Sequence, residues 1–334
     1  MNEIFELRRA LHQYPELSGS EAGTAARLVG FFRRLAPDGL LEQLGGHGVA
    51  VVFQGRDAGP TVLLRAELDA LPVHESEAHS DRSRVAGVGH QCGHDGHMAI
   101  LADPRFAALA PDFAFALHNL PGFPLGQVIL RSGAFSSASR GIGITLNGAT
   151  AHAAQPETGV SPAGAMCRII EGFSRLSGGA VPAEVMAFGT APGRADIWAT
   201  LRAGTDQAMA GLIRQAEAIV TEAAAMDGLD HAIEYDDVFP ATVNAPRAVE
   251  IVRACAGDDA VLEIDQPFRW SEDFGHFTAT CQGALFGLGA GTNAPDLHDH
   301  HYAFPEALLP IGAELFLRVV WRCLSIGANG FNRD

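Results

Sequence analysis

The sequence is poor in positive charge. Its 23 lysines and arginines stand against 39 aspartates and glutamates, a formal net charge of −16 over 334 residues. That balance argues against nucleic acid, and against an anionic membrane surface, as a partner. Cysteine is also scarce. Cys92, Cys167, Cys255, Cys281 and Cys323 are odd in number and scattered, so no disulfide framework is expected. No apolar run is long enough to cross a bilayer. The opening MNEIFELRRALHQYPE is charged and amphipathic and has no apolar signal core. These absences lead to the expectation of a cytoplasmic protein. What remains is a globular chain, 47% hydrophobic and long enough for two domains.

The densest chemistry lies in Gly89-His90-Gln91-Cys92-Gly93-His94-Asp95-Gly96-His97. A thiol, three imidazoles and a carboxylate fall within one short stretch, spaced by glycines that let the backbone turn. Borderline-soft divalent metals take N and S donors, so this stretch reads as part of a metal site.

Around it the chain reads as alternating helices and strands. Ile4, Leu7 and Leu11 fall at helical spacing before Pro15, and Ser20 is placed to cap a second helix. Gly48–Phe53 and Thr61–Ala66 read as a hairpin of buried strands. The second of these runs into Glu67 and Asp69. A strand's carboxyl end is where α/β sheets place their chemistry, although either carboxylate alone reads equally well as ordinary loop charge. Met98–Ala102 begins a helix, Phe113–Leu117 is a strand ending in His118-Asn119, and Gln127–Arg131 reads as its neighbour. His118 is a metal-ligand candidate; taken alone, such a histidine is more often a hydrogen-bonded core residue. From Gly141 to Val238 the order is βαββαβ, the pattern of an antiparallel sheet with two helices on one face. His152 sits among alanines on a tight loop of this part, with no packing reason to be there. Leu297-His298-Asp299-His300-His301-Tyr302 forms a second histidine cluster, and Pro305–Ser325 reads as a closing amphipathic helix.

Six motifs in order carry a resemblance. They are Leu11-His12-Gln13-Tyr14-Pro15-Glu16-Leu17, Leu64 to Pro72, Cys92 to His97, Ala151 to Pro156, Ser271-Glu272-Asp273-Phe274, and Leu297-His298 with Tyr302. Together they resemble the aminoacylase/hippurate hydrolase family of two-metal amidohydrolases, the group that includes auxin-conjugate hydrolases. The resemblance implies an α/β chain of two domains. A mixed-sheet α/β/α metallopeptidase-like catalytic domain would span residues 1–135 and 246–334, and a ferredoxin-like lid and dimerisation domain would be inserted over 136–245. It implies Cys92, His94, His118 and His298 as ligands of two divalent ions per site (Mn, Zn, Co or Ni). Asp69 would stand behind the metal site, His152 would reach a substrate oxygen from the inserted domain of a homodimer, and Asn119, Ser271 and Glu272 would meet the substrate. The implied reaction is hydrolysis of the amide of a small N-acyl amino acid.

One element of that family is missing. A strand ending in a Gln-Pro-Ala-Glu-Glu type motif, which carries the general base and a metal ligand, should precede the strand ending at His118. Here Met98-Ala99-Ile100-Leu101-Ala102 runs directly into Asp103-Pro104-Arg105-Phe106, and no glutamate occurs between Glu77 and Glu157. The consequence is an impaired or non-catalytic homologue that binds metal or an acylated ligand, a sequence from which a segment after Ala102 is unrecorded, or a chain in which a carboxylate such as Glu67 or Glu272 has taken the role.

Overall fold

The computed structural model describes residues 2–79, 81–101, 112–152, 154–178, 181–182, 184–191 and 193–327. The junction after Leu101, where the missing motif was expected, lies outside the described residues. The chain divides into two compact units, residues 1–132 with 244–264 and 280–334, and residues 133–243 with 265–279.

The first unit is built on a mixed five-stranded sheet. Its order is Val261–Glu263, Val128–Leu130, Gln282–Gly289, Phe113–Leu120, Val62–Arg65. The last three strands run parallel, and Val128–Leu130 runs antiparallel to Gln282–Gly289. All eight residues of Phe113–Leu120 are buried, which is why that segment reads as a continuous apolar run and not an alternating one. Its alternation survives in size. Phe113, Phe115 and Leu117 enter the core with Leu11, Phe31, Val252, Phe286 and Phe316, while Ala114, Ala116 and His118 share the other face. Parallel strands bring their carboxyl ends to one rim, so Arg65 and Leu120 finish on the same side of the sheet.

Three local expectations change. Gly48–Val52 and Val62–Arg65 do not pair with each other. Gly48–Val52 forms its hairpin with Gly39–Leu44, and Val62–Arg65 pairs with Phe113–Leu120. The turn between the hairpin strands uses Gly45 and Gly46 at φ 60° and 120°, with Gln43 also left-handed at φ 61°. Those glycines close the earlier turn and free the later loop to carry the chain into the other sheet. Val128–Leu130 is not adjacent to Phe113–Leu120, because Gln282–Gly289 lies between them. Ser20 does not cap the second helix, Ala22–Arg33. Glu16 does, its carboxylate accepting from Gly23 N at 3.1 Å and Thr24 N at 2.6 Å.

The second unit has the sheet order Glu184–Ala191, Arg194–Ala203, Ala138–Asn147, Asp230–Phe239, every pair antiparallel. In chain order the strands stand 4-1-3-2, the ferredoxin-like arrangement. Arg194–Ala203 buries alternate residues, and this one apolar face meets Ala163–Ser174 and Asp206–Asp227 through Ile144, Leu146, Ile197, Phe173, Leu212 and Val220. Thr205 caps the longer helix by accepting from Ala208 N, and Gly228 ends it at φ 63°. Residues 265–279, expected with the catalytic domain, pack with this unit. Ser137 N donates to the carbonyls of Phe268 and Trp270, each at 3.1 Å, and the Phe135, Phe268 and Trp270 rings cluster.

Phe286 tests the first core. It is fully buried on the strand Gln282–Gly289, its ring centroid 5.5 Å from that of Phe316. Phe286→Ala should cost about 3–5 kcal/mol of unfolding free energy, read as a lower midpoint in urea at unchanged slope.

Candidate metal centre

Four distant segments meet at the rim of the first sheet, and backbone hydrogen bonds hold them together. Leu71 and Gly89 exchange both bonds at 3.0 Å, Ala70 N donates to Glu16 O at 2.8 Å, and His298 N donates to Gln91 O at 2.9 Å. The turn from Gly89 leads into the helix His94–Leu101. This helix begins four residues earlier than the apolar pattern suggested, so His94 and His97 sit three apart on one face. Two glycines are required. A Cβ at Gly93, which stands at φ +89°, would lie 2.5 Å from Asn119 Oδ1, and one at Gly96 would lie 2.4 Å from the Phe304 ring.

Cys92, His94 and His118 bring their donor atoms within 4.8 Å of one another, and Cys92 Sγ lies 3.5 Å from His118 Nε2. Both histidines are held from behind. His94 Nδ1 donates to the Asp69 carbonyl at 2.9 Å and meets its carboxylate Oδ1 at 3.1 Å. His118 Nδ1 donates to the Asn119 carbonyl at 2.9 Å. In each ring this sets the tautomer and leaves Nε2 as the donor towards the sulfur, the arrangement of metal-ligating histidines. His298, on an exposed loop at φ 71°, hydrogen-bonds the Cys92 sulfur. Cys92, His94 and His118 are therefore brought together, with His298 approaching the sulfur from its loop, and one divalent ion fits this donor set.

Electrostatics favour the ligand form of the cysteine. Burial pushes the Cys92 thiol up, but the charges of His94 and His118, with hydrogen bonds from His118 and His298, hold it well below its ordinary value. Burial likewise opposes ionisation of Asp69, and its hydrogen bond and attraction to His94 overcome it.

A second group stands beside the first. Glu67, His94 and His97 also lie within 4.8 Å of one another and are buried. Glu67 Oε1 takes Arg65 Nη1 at 2.6 Å and its Oε2 takes His97 Nδ1 at 3.0 Å. His97 Nε2 meets Asn119 Oδ1 at 2.5 Å, and the Asn119 amide donates to the Tyr302 hydroxyl. Asn119 itself is fully buried. His97 had drawn no role from the sequence; the signal for it was its spacing from His94, legible once the helix is begun at His94.

His152, Ser271 and Glu272 belong to the second unit. His152 is exposed, its Nδ1 accepting from Ala154 N at 3.1 Å. Ser271 Oγ accepts from Arg202 at 3.0 Å, and Glu272 Oε1 accepts from Thr242 Oγ1 at 3.0 Å.

The model of Peptidase family M20/M25/M40 matches residues 104–322. The chain belongs to that family. Among its relatives, thermostable carboxypeptidase 1 of Saccharolobus solfataricus is 26% identical, covering 93% of this chain and 92% of that protein. The N-acetyldiaminopimelate deacetylase of Priestia megaterium is 26% identical over 92% of this chain and 96% of its own length. Its aligned stretch spans 360 positions, more than the 334 residues present here, so that relative carries residues with no counterpart in this chain. The fold matches that of Bacillus subtilis YXEP, described as a dinuclear metal-binding peptidase from the M20 family. The TM-score is 0.76 at 20% identity, covering 97% of this chain and 98% of that one. Membership makes this M20 chain a metal-dependent amidohydrolase by resemblance, and its matched region includes the strand that carries His118 but begins after Cys92 and His94.

Behind the centre lies an ionic network that no motif had assigned. Arg8 Nε lies 2.7 Å from Asp95 Oδ2, His12 Nδ1 lies 3.0 Å from the same oxygen, and His12 Nε2 lies 2.8 Å from Glu75 Oε1. Burial lowers His12, but the charge and hydrogen bond of Asp95, with the hydrogen bond of Glu75, raise it to about 9 from 6.5. A folded-state value above the unfolded one stabilises fully below the unfolded value and is lost as pH rises through the folded one. The stability deficit of His12→Gln relative to the parent should therefore be largest below about pH 6.5, on the order of 3 kcal/mol, and should narrow as pH rises through about 9. Urea unfolding of both proteins from pH 6 to 10 measures it, and a pH-independent deficit refutes it.

Proposed function

We propose that this M20 chain binds divalent metal at Cys92, His94, His118 and His298 and hydrolyses the amide of N-acyl amino acids. One observation carries the metal part: His94 and His118 each spend Nδ1 on a main-chain carbonyl and turn Nε2 towards the Cys92 sulfur. The names of two relatives, a carboxypeptidase and an N-acetyldiaminopimelate deacetylase, support the substrate class. A bound divalent ion supplies an acidified water and a polarised carbonyl. A mixed S, N and O donor set fits Zn, Mn, Co or Ni.

The chain's own residues then have separable roles. Asp69 holds His94 in its tautomer. Asn119 fixes His118 through its carbonyl. His152 would donate to the oxygen that develops charge on the scissile carbonyl, and Ser271 and Glu272 would line the substrate side. The reading includes a cytoplasmic homodimer formed through the inserted unit. No helix among the described residues is long and apolar enough to cross a membrane.

A second reading, an impaired homologue that binds without cleaving, rests on the carboxylates. Glu67 has both oxygens engaged by Arg65 and His97, and its charge is stabilised well below the ordinary range, against the pull of burial, by Arg65, His97 and His94. A carboxylate so held is a poor proton acceptor.

The test is a panel of N-acetyl and N-benzoyl amino acids with added Zn²⁺, Mn²⁺, Co²⁺ or Ni²⁺. Turnover that falls at least about 100-fold in His152→Ala is the expected result. A folded, metal-loaded protein that retains an acylated ligand and releases no amine establishes the second reading instead. Analytical ultracentrifugation should give a dimer, and a monomer at all concentrations removes the dimer from the proposal.

A further inference from the structure

We infer that this chain holds a single divalent ion, on Cys92, His94, His118 and His298, and not the pair named for its dinuclear structural relative. The inference rests on the metal reading above and turns on a count of donors.

His94 and His118 each have one ring nitrogen engaged by a carbonyl, so each offers one nitrogen. With Cys92 the donors within reach of one another number three, and His298 approaches the sulfur as a fourth. Four donors are the full protein set of a closed tetrahedral site, or three and an open position of a catalytic one. Spread over two ions, even with the sulfur shared, three imidazoles divide two and one. One ion would then be left with only a sulfur and a single nitrogen. A second ion therefore needs a carboxylate.

Among the described residues, each nearby carboxylate already has a protein partner. Glu67 is clamped by Arg65 and His97 through separate oxygens. Half-buried Asp69 spends Oδ1 on His94, Asp95 is paired with Arg8 and His12 through Oδ2 while its buried Oδ1 makes no hydrogen bond among the described residues, and Glu75 binds His12 and the Ser83 amide. The sequence offers no glutamate from residue 78 to 156. The group of Glu67, His94 and His97 does not escape this count. It shares His94 with the first group, and His97 has its nitrogens on Glu67 and Asn119.

The experiment is a titration of chelator-treated full-length protein with Co²⁺. The thiolate-to-cobalt charge-transfer absorption is followed, and bound metal is counted by mass spectrometry after desalting. The expected result is saturation at one equivalent per chain, with Glu67→Gln still binding one. Cys92→Ala should lose both the absorption and the bound ion while keeping its circular dichroism. Should Cys92→Ala not fold, His298→Ala on its exposed loop should weaken cobalt binding at least about tenfold. Two equivalents in the parent, a count that falls in Glu67→Gln, or unchanged affinity in His298→Ala each overturn the single-ion site. No bound metal in folded parent protein overturns the metal reading itself, so the two failures are told apart.

Discussion

The centre depends on one constraint: two imidazole rings cannot rotate. Each hydrogen bond from Nδ1 to a main-chain carbonyl ties a ring to backbone that is itself fixed, Asp69 by the strand leading into it and Asn119 by the strand it occupies. With Nδ1 committed to a carbonyl, Nε2 is the nitrogen that faces the sulfur and would offer its lone pair to a bound metal. Without those bonds the rings would sample both tautomers, and three soft donors in one place would be a buried polar cluster with nothing to order it. The left-handed Gly93 and the close approach of Phe304 at Gly96 serve the same end. They let the helix that begins at His94 sit near enough to Asn119 for the rings to converge.

The sequence was most legible where chemistry is local. A Cys and two His spaced by glycine announce metal from composition and spacing alone, and the order βαββαβ announces an antiparallel sheet because period 2 and period 3.6 patterns alternate cleanly through it. Partnership between strands was not local and was misread. Gly48–Val52 and Val62–Arg65 are apolar neighbours in sequence, yet one pairs with Gly39–Leu44 and the other with Phe113–Leu120. Gly39–Leu44 was invisible as a strand, because its burial fades to exposed along its length and no apolar alternation marks it. The helix cap was similarly displaced. Glu16 works across a turn of chain, whereas sequence rules look only at the residue next to the helix. Glu67 and His97 were visible as residues but not as partners, since thirty positions separate them.

Burying this much charge is unfavourable unless every ion is matched. The structure matches them in series. Asp95, fully buried, meets Arg8 and His12, His12 passes on to Glu75, and Glu75 is closed by the Ser83 amide. Asp95 lies between His94 and Gly96, so its anchorage to the first helix is also an anchorage of the metal-bearing turn. A histidine at the middle of two carboxylates is the cheapest neutraliser available, because protonation adjusts its charge to its surroundings. The motif Leu11-His12-Gln13-Tyr14-Pro15-Glu16-Leu17 thereby gains a physical meaning. His12 neutralises the carboxylate of the metal turn, while Glu16 caps the next helix through its side chain and receives Ala70 N through its carbonyl.

The same accounting shows which bonds gather the candidate donors. The donors hang from Phe113–Leu120, from the helix His94–Leu101 and from the loop at His298, and the bonds that gather them run between Leu71 and Gly89 and between Gln91 and His298. None of these ties passes through the outer side of Val62–Arg65, which is the last strand of its sheet among the described residues. That strand is short and ends in Arg65, whose charge is drawn to Glu67, both features that blunt an exposed edge. The thiol and imidazoles are oriented by bonds that involve no glutamate general base. The orientation of the candidate donors is thus fixed by local anchors, independently of whichever group would move the proton.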